Sequence, residues 1–270
     1  LHAAEGDGKL RAFSFDQEGK STLLSQIDEP HPQYLGRFHW TDWPDSFVVS
    51  PYHQNHVVVY RGFNPQQGVY EKRMEVPISQ GYPSVVEPEW PAIVDLDGDS
   101  EDEILYVARI SKQLITLSRP RNKDELPIRK VLLESQDWGM PSSVNPVDLD
   151  RDGFQDLLMA DETRPGRIRV LMNDKLGGLK EFPSLDPQDT EGVSRIATAM
   201  DADGGLLVVA TEFDRVRLFK LGDSWHPGDA TPFRSVPWDR NRANTVILRD
   251  LNRDGWLDLA TSVQNGPDAI

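Results

Sequence analysis

A chain of 270 residues, 38% of them hydrophobic, is long enough for a sizeable core, and its 20 Gly and 20 Pro favour a turn-rich all-β fold over long helices. A formal charge of −15 repels a phosphate backbone, which argues against nucleic acid as a partner. With no cysteine there is no disulfide, thiolate zinc site or c-type haem attachment, and no window approaches the roughly 18 apolar residues of a membrane span.

In chain order the apolar runs form a repeat. Residues 1–4 and 9–15 read as the second and third strands of a unit whose first strand and loop are missing. Asp42 and Asp45 bound a stripped-down acidic turn, followed by runs at 47–49, 56–60 and 70–76. The next unit has a run at 92–94, a loop opening with Asp95, Asp97 and Asp99, then runs at 104–108, 113–117 and 128–133. Its successor runs from 146–147 through Asp148, Asp150, Asp152 and Gly153 to 157–160, 167–171 and 179–182. A fourth copy has 196–200, Asp201, Asp203 and Gly204, then 206–210, 215–219 and 233–236. The last has 246–248, Asp250, Asn252, Asp254 and Gly255, then 257–260, before Asn265 and Gly266 open a turn.

Units therefore start near 42, 95, 148, 201 and 250, at steps of about 50 residues. Four short runs per unit with strand periodicity make one propeller blade. The expected fold is an all-β β-propeller, or part of one, spanning 1–270 with about five units and partial blades at both ends.

The loops carry the chemistry. Each strong copy puts side-chain oxygens at positions 1, 3 and 5 and a further carboxylate at position 9, namely Glu103, Asp156 and Asp258. Hard oxygen ligands in that number suit calcium better than zinc or copper. An EF-hand is excluded, because it needs a carboxylate at position 12, where this chain has Tyr106, Met159 and Thr261. Gly153 and Gly255 permit a sharp turn at position 6, where the first copy has Ser100. Acidic β-turns alone would explain one copy; three in register, each with four ligand groups crowded together, point to a cation that offsets their repulsion.

Strand, D-x-[DN]-x-D-G-x-x-D loop and strand together resemble the FG-GAP or VCBS repeats of integrin-like propellers, over essentially the whole chain. The resemblance implies structural calcium, no catalysis by the loop acids, and three ligand sets: Asp95, Asp97, Asp99 and Glu103; Asp148, Asp150, Asp152 and Asp156; Asp250, Asn252, Asp254 and Asp258. Asp201 and Asp203 lack a position-5 acid and have Val209 at position 9, so that copy is expected to bind calcium weakly or not at all, and Asp42 and Asp45 depart further.

His31, His39, Trp40, Trp43, His53 and His56 crowd the first complete unit without a recurrent ligand spacing, and read as packing and turn residues. Trp90, Trp138 and Trp238 lie near blade entrances, where an aromatic ring packs the rim or stacks on a sugar. No G-x-S-x-G, H-E-x-x-H or P-loop pattern occurs. Two functions follow: a non-catalytic recognition or scaffold module with a protein or glycan ligand at a propeller face, or a calcium-dependent carbohydrate-active enzyme, polysaccharide lyase-like, on the same fold. Imperfect calcium loops suit millimolar extracellular calcium, so a secreted, periplasmic or cell-surface location is expected, with a targeting segment upstream of Leu1.

Overall fold

The computed structural model describes residues 2–4, 8–29, 32–51, 54–78, 88–163, 166–186, 192–213, 215–222, 226, 230, 232–237 and 243–263. Every regular element among them is a strand. The chain divides into two compact units, Leu1–Glu134 and Ser135–Ile270.

The first unit holds three antiparallel sheets. β1 (His2–Ala4), β2 (Lys9–Phe15) and β3 (Ser21–Asp28) form one; β4 (Pro32–Trp40), β5 (Trp43–Pro51), β6 (His56–Arg61) and β7 (Lys72–Pro77) form the next; β8 (Pro88–Val94), β9 (Glu103–Ala108), β10 (Gln113–Ser118) and β11 (Ile128–Glu134) form the third. In the second unit β12 (Pro141–Val147), β13 (Asp156–Asp161), β14 (Arg167–Asn173) and β15 (Leu179–Phe182) make one sheet. β16 (Val193–Met200), β17 (Leu206–Glu212), β18 (Arg215–Leu221) and β19 (Arg234–Pro237) make another, and β20 (Ala243–Arg249) pairs with β21 (Asp258–Val263). Each sheet is a meander in which sequence neighbours are hydrogen-bonded neighbours.

The middle strands read as continuous apolar runs because both faces of their sheets are covered. On β6, Val57 and Val59 join a core with Trp40, Trp43, Ile104, Tyr106 and Ile115, while Val58 and Tyr60 join Leu10, Ala12, Phe47 and Phe63 on the other face. In the second unit Leu158, Ala160, Val170, Val208, Ala210 and Phe219 share one core between the two four-stranded sheets. Burial of this kind stabilises by about 1.5–3 kcal/mol per large side chain. The fourth strands β11, β15 and β19 are mostly exposed, which is why their sequence signal is weak.

Two strands escape the sequence pattern. β3 has no fully buried position, so alternation is faint, and β4 buries Phe38 and Trp40 at its end while Tyr34, Leu35 and Gly36 are only half-buried and Arg37 and His39 point outward. The stripped-down loop at Asp42 is a tight hairpin turn, for Trp40 pairs directly with Trp43 across β4 and β5. Asp42 pairs with Arg119 and Asp45 with Arg37 at 3.2 Å, so the two acids engage different arginines and enclose no common point. The hairpin is clamped by the segment after Asp99: Glu101 accepts from the Thr41 amide at 2.8 Å, and Asp102 accepts from the His39 amide and the Trp40 indole.

Candidate metal centres

Each strong loop joins the first strand of a sheet to the second. Val94 pairs with Glu103, Val147 with Asp156 and Arg249 with Asp258, so the position-9 carboxylate sits where the second strand begins. That carboxylate reaches back to the amide of position 2: Glu103 to Leu96 at 2.8 Å, Asp156 to Leu149 at 2.9 Å, Asp258 to Leu251 at 3.0 Å. Position 1 accepts from the amide of position 6, as Asp95 from Ser100 (2.9 Å), Asp148 from Gly153 (3.0 Å) and Asp250 from Gly255 (2.9 Å). Position 5 accepts from position 7, as Asp99 from Glu101 (2.8 Å), Asp152 from Phe154 (2.8 Å) and Asp254 from Trp256 (2.9 Å). Position 3 accepts from position 5, as Asp97 from Asp99 (3.2 Å), Asp150 from Asp152 (3.2 Å) and Asn252 from Asp254 (2.9 Å). The spacing thus dictates one conformation three times over.

Positions 4 and 6 take left-handed backbone in every strong copy, at φ 78° and 69° for Gly98 and Ser100, 61° and 93° for Arg151 and Gly153, and 66° and 88° for Arg253 and Gly255. Nothing crowds a side chain at Gly153 or Gly255, so the cost at this position is backbone strain alone. Replacing Ser100 with glycine is expected to stabilise the protein by about 1 kcal/mol, measured by urea unfolding. A destabilisation would contradict that reading of the turn.

Oxygens of Asp95, Asp97 and Asp99 lie within 4.8 Å of one another, as do those of Asp148, Asp150 and Asp156. In the loop at 250 the Asn252 amide nitrogen donates to Asp254 at 2.9 Å, and its acids form no three-membered group of this kind. Asp152 is drawn off by the Lys175 ammonium at 2.8 Å, whose hydrogen bond holds its pKa down. Burial first, then the charges of Asp97, Asp99 and Asp95, push Glu103 up to about 7. Burial first, then Asp150 and Asp152, push Asp156 up to about 6. Asp156 is buried and Glu103 half-buried, and each sits among further acids.

These shifts set a pH dependence for the chelated protein. Between about pH 5 and 7 the folded chain keeps protons on Glu103 and Asp156 that the unfolded chain has released, so stability falls as pH rises through that window. With chelator present, the melting temperature is expected to be higher near pH 5.5 than near pH 7.5. A flat profile would mean that these carboxylates are already compensated.

The fourth copy is built differently. Eight residues separate Val147 from Asp156, but five separate Met200 from Leu206, so the position matching the closing carboxylate is Leu206. Val209, the position that counting along the chain assigns, pairs with Ala197 inside the sheet. Shortening the loop moved the register, and the closing position became apolar and buried.

No protein-family profile matches this sequence, and no curated protein does. Solved structures do match. A candidate 6-phosphogluconolactonase from Bacteroides uniformis aligns over 94% of this chain and 78% of its own, at 15% identity and TM-score 0.57. One from Bacteroides fragilis aligns over 93% and 76%, at 17% identity and TM-score 0.58. A Lactobacillus plantarum protein aligns over 93% and 76%, at 15% identity and TM-score 0.59. The likeness supports a β-propeller. At these identities it speaks for the fold and not for an activity.

The aromatic candidates divide. Trp40, Trp43 and Trp138 are buried, and the Trp138 indole donates to Glu181 at 3.0 Å, so none presents a face to a sugar. Trp90 lies on β8; His31, His53 and Trp238 lie outside the described residues. His39 and His56 sit on β4 and β6. The sequence reading passed over the buried ion pairs of the second unit. Arg169 bonds Asp161 at 2.9 Å and Glu181 at 2.7 Å, Arg195 meets Glu162 at 3.5 Å, and Arg217 pairs with both Asp186 and Glu212. Their signal is an acid at the end of a second strand with an arginine just beyond, as in Asp161 with Arg169 and Glu212 with Arg217.

No helix among the described residues is long and apolar enough to cross a membrane.

Proposed function

We infer that this chain is a β-propeller, or a segment of one, akin to FG-GAP and VCBS repeat proteins, in which calcium stiffens the sheets and a propeller face binds a protein or glycan without catalysis. The observation that carries the reading is the same four-bond pattern in three loops, each with a carboxylate from the start of the next strand folded back onto the loop. Asp95, Asp97, Asp99 and Glu103 would hold one ion, Asp148, Asp150, Asp152 and Asp156 a second, and Asp250, Asn252, Asp254 and Asp258 a third. The donor set fits: all are hard oxygens, and the raised pKa values of Glu103 and Asp156 mark carboxylates that a divalent cation would relieve. Such an ion would tie the first strand of a sheet to the second and leave the apolar cores unchanged.

Loops with mixed ligand sets suit millimolar calcium, which favours a working location outside the cytoplasm, at the cell surface, in the periplasm or secreted. A glycan and protein array probed with and without chelator, with mass spectrometry of the retained glycans, tests the function. Retention without product supports a recognition module. Steady turnover of a polysaccharide would replace it with the lyase-like reading.

A further inference from the structure

Lys220 on β18 extends its side chain into the loop 201–205, where its ammonium lies 2.5 Å from Asp201 and 3.5 Å from Asp203. Three features of the loop are built around it. Gly205 stands where the strong copies have their position-5 acid, and a Cβ there would come within 2.6 Å of the Lys220 Cε and 3.1 Å of Asp201. A side chain there would push the lysine off this path. The closing carboxylate is absent, its place taken by Leu206. Asp201, its side chain largely covered, accepts from the amides of Asp203 at 3.0 Å and Gly205 at 2.6 Å, which winds the loop onto the acid that the lysine holds.

We propose that the Lys220 ammonium is the resident cation of this loop, so that the fourth copy is held closed by the protein's own charge at any calcium concentration. Compared with the strong copies, the copy has lost an acid at position 5, lost another at position 9 and gained a tethered positive charge. Each change alone would weaken a loop of this type; together they exchange a metal for a side chain. Arg151 of the preceding loop donates to the Gly204 carbonyl at 2.7 Å, so the tethered copy also anchors the loop 148–156 from its far side. Lys175, which holds Asp152 from outside the loop 148–156, differs in that the acids Asp148, Asp150 and Asp156 still converge there. The contrast with calcium-dependent copies rests on the function inferred above; the tether itself does not.

Amide hydrogen exchange of the whole chain, in chelator and in millimolar calcium, separates the two. In the wild-type protein the amides of Asp203 and Gly205 are expected to exchange at the same rate in both conditions. In Lys220→Met they should exchange about two- to fivefold faster, the range an ion pair of this exposure supports, and calcium should not restore them. Lys220→Arg should keep the protection. Wild-type amides that slow on adding calcium, or that ignore Lys220→Met, would overturn the proposal. If calcium leaves the loops at 95 and 148 unchanged while Lys220→Met still accelerates its own loop, the tether stands and the calcium reading falls.

Discussion

Saturating calcium is expected to raise the melting temperature of this protein by about 10 °C over the chelated state. Among the described residues each compact unit holds one loop with three converging acids, at Asp95 in the first and Asp148 in the second. A ligand bound only by the native state at about 100 times its dissociation constant adds about 2.7 kcal/mol. For a unit of this size, 1 kcal/mol moves the midpoint by roughly 3–5 °C, so the convergent loop of each unit alone contributes about 10 °C. Asp97→Asn, which removes a position-3 charge, should cut the gain in the first unit and spare the second. Differential scanning calorimetry resolves this, and equal curves in chelator and calcium would contradict it.

The second large effect belongs to the buried charges. Arg217 is almost wholly covered and pairs with Asp186 and Glu212, which are covered as fully. Removing the guanidinium leaves two buried carboxylates without it, and breaking a buried pair by deleting one partner costs about 3–5 kcal/mol. Arg217→Met, which keeps much of the apolar stem, is therefore expected to lower the unfolding free energy of the second unit by about that amount in urea. A loss under about 1 kcal/mol would mean that water or other groups compensate the acids.

Much of the fold is legible in the sequence because a chain of four-stranded meanders is a local object. Strand, turn and strand follow one another, and every hydrogen-bonded neighbour is a sequence neighbour. Runs such as 56–60 and 104–108 announce themselves because both faces are buried. β3 and β4 were missed for the opposite reason, since few of their side chains are fully covered. The loop acids stand out by their spacing, and in two of the three sets the structure brings three of the four acids within reach of a common point, Glu103 and Asp152 lying outside these groups. Spacing could not register Leu206 against Asp156, because a loop shortened by three residues shifts the count that placed Val209 there. Nor could it reveal Lys220, which arrives from a different strand through space that Gly205 leaves open. The stripped-down turn at Asp42 is a hairpin turn in the structure, though spacing could not show that its two acids pair with Arg119 and Arg37.

Anomalous diffraction from crystals grown in millimolar calcium tests most directly whether these loops hold the ion. The expected result is a strong peak enclosed by Asp95, Asp97, Asp99 and Glu103, a second beside Asp148, Asp150 and Asp156, a third beside Asp250, Asn252, Asp254 and Asp258, and none between Asp201 and Lys220. Well-ordered loops at 95 and 148 with no peak in either would contradict it.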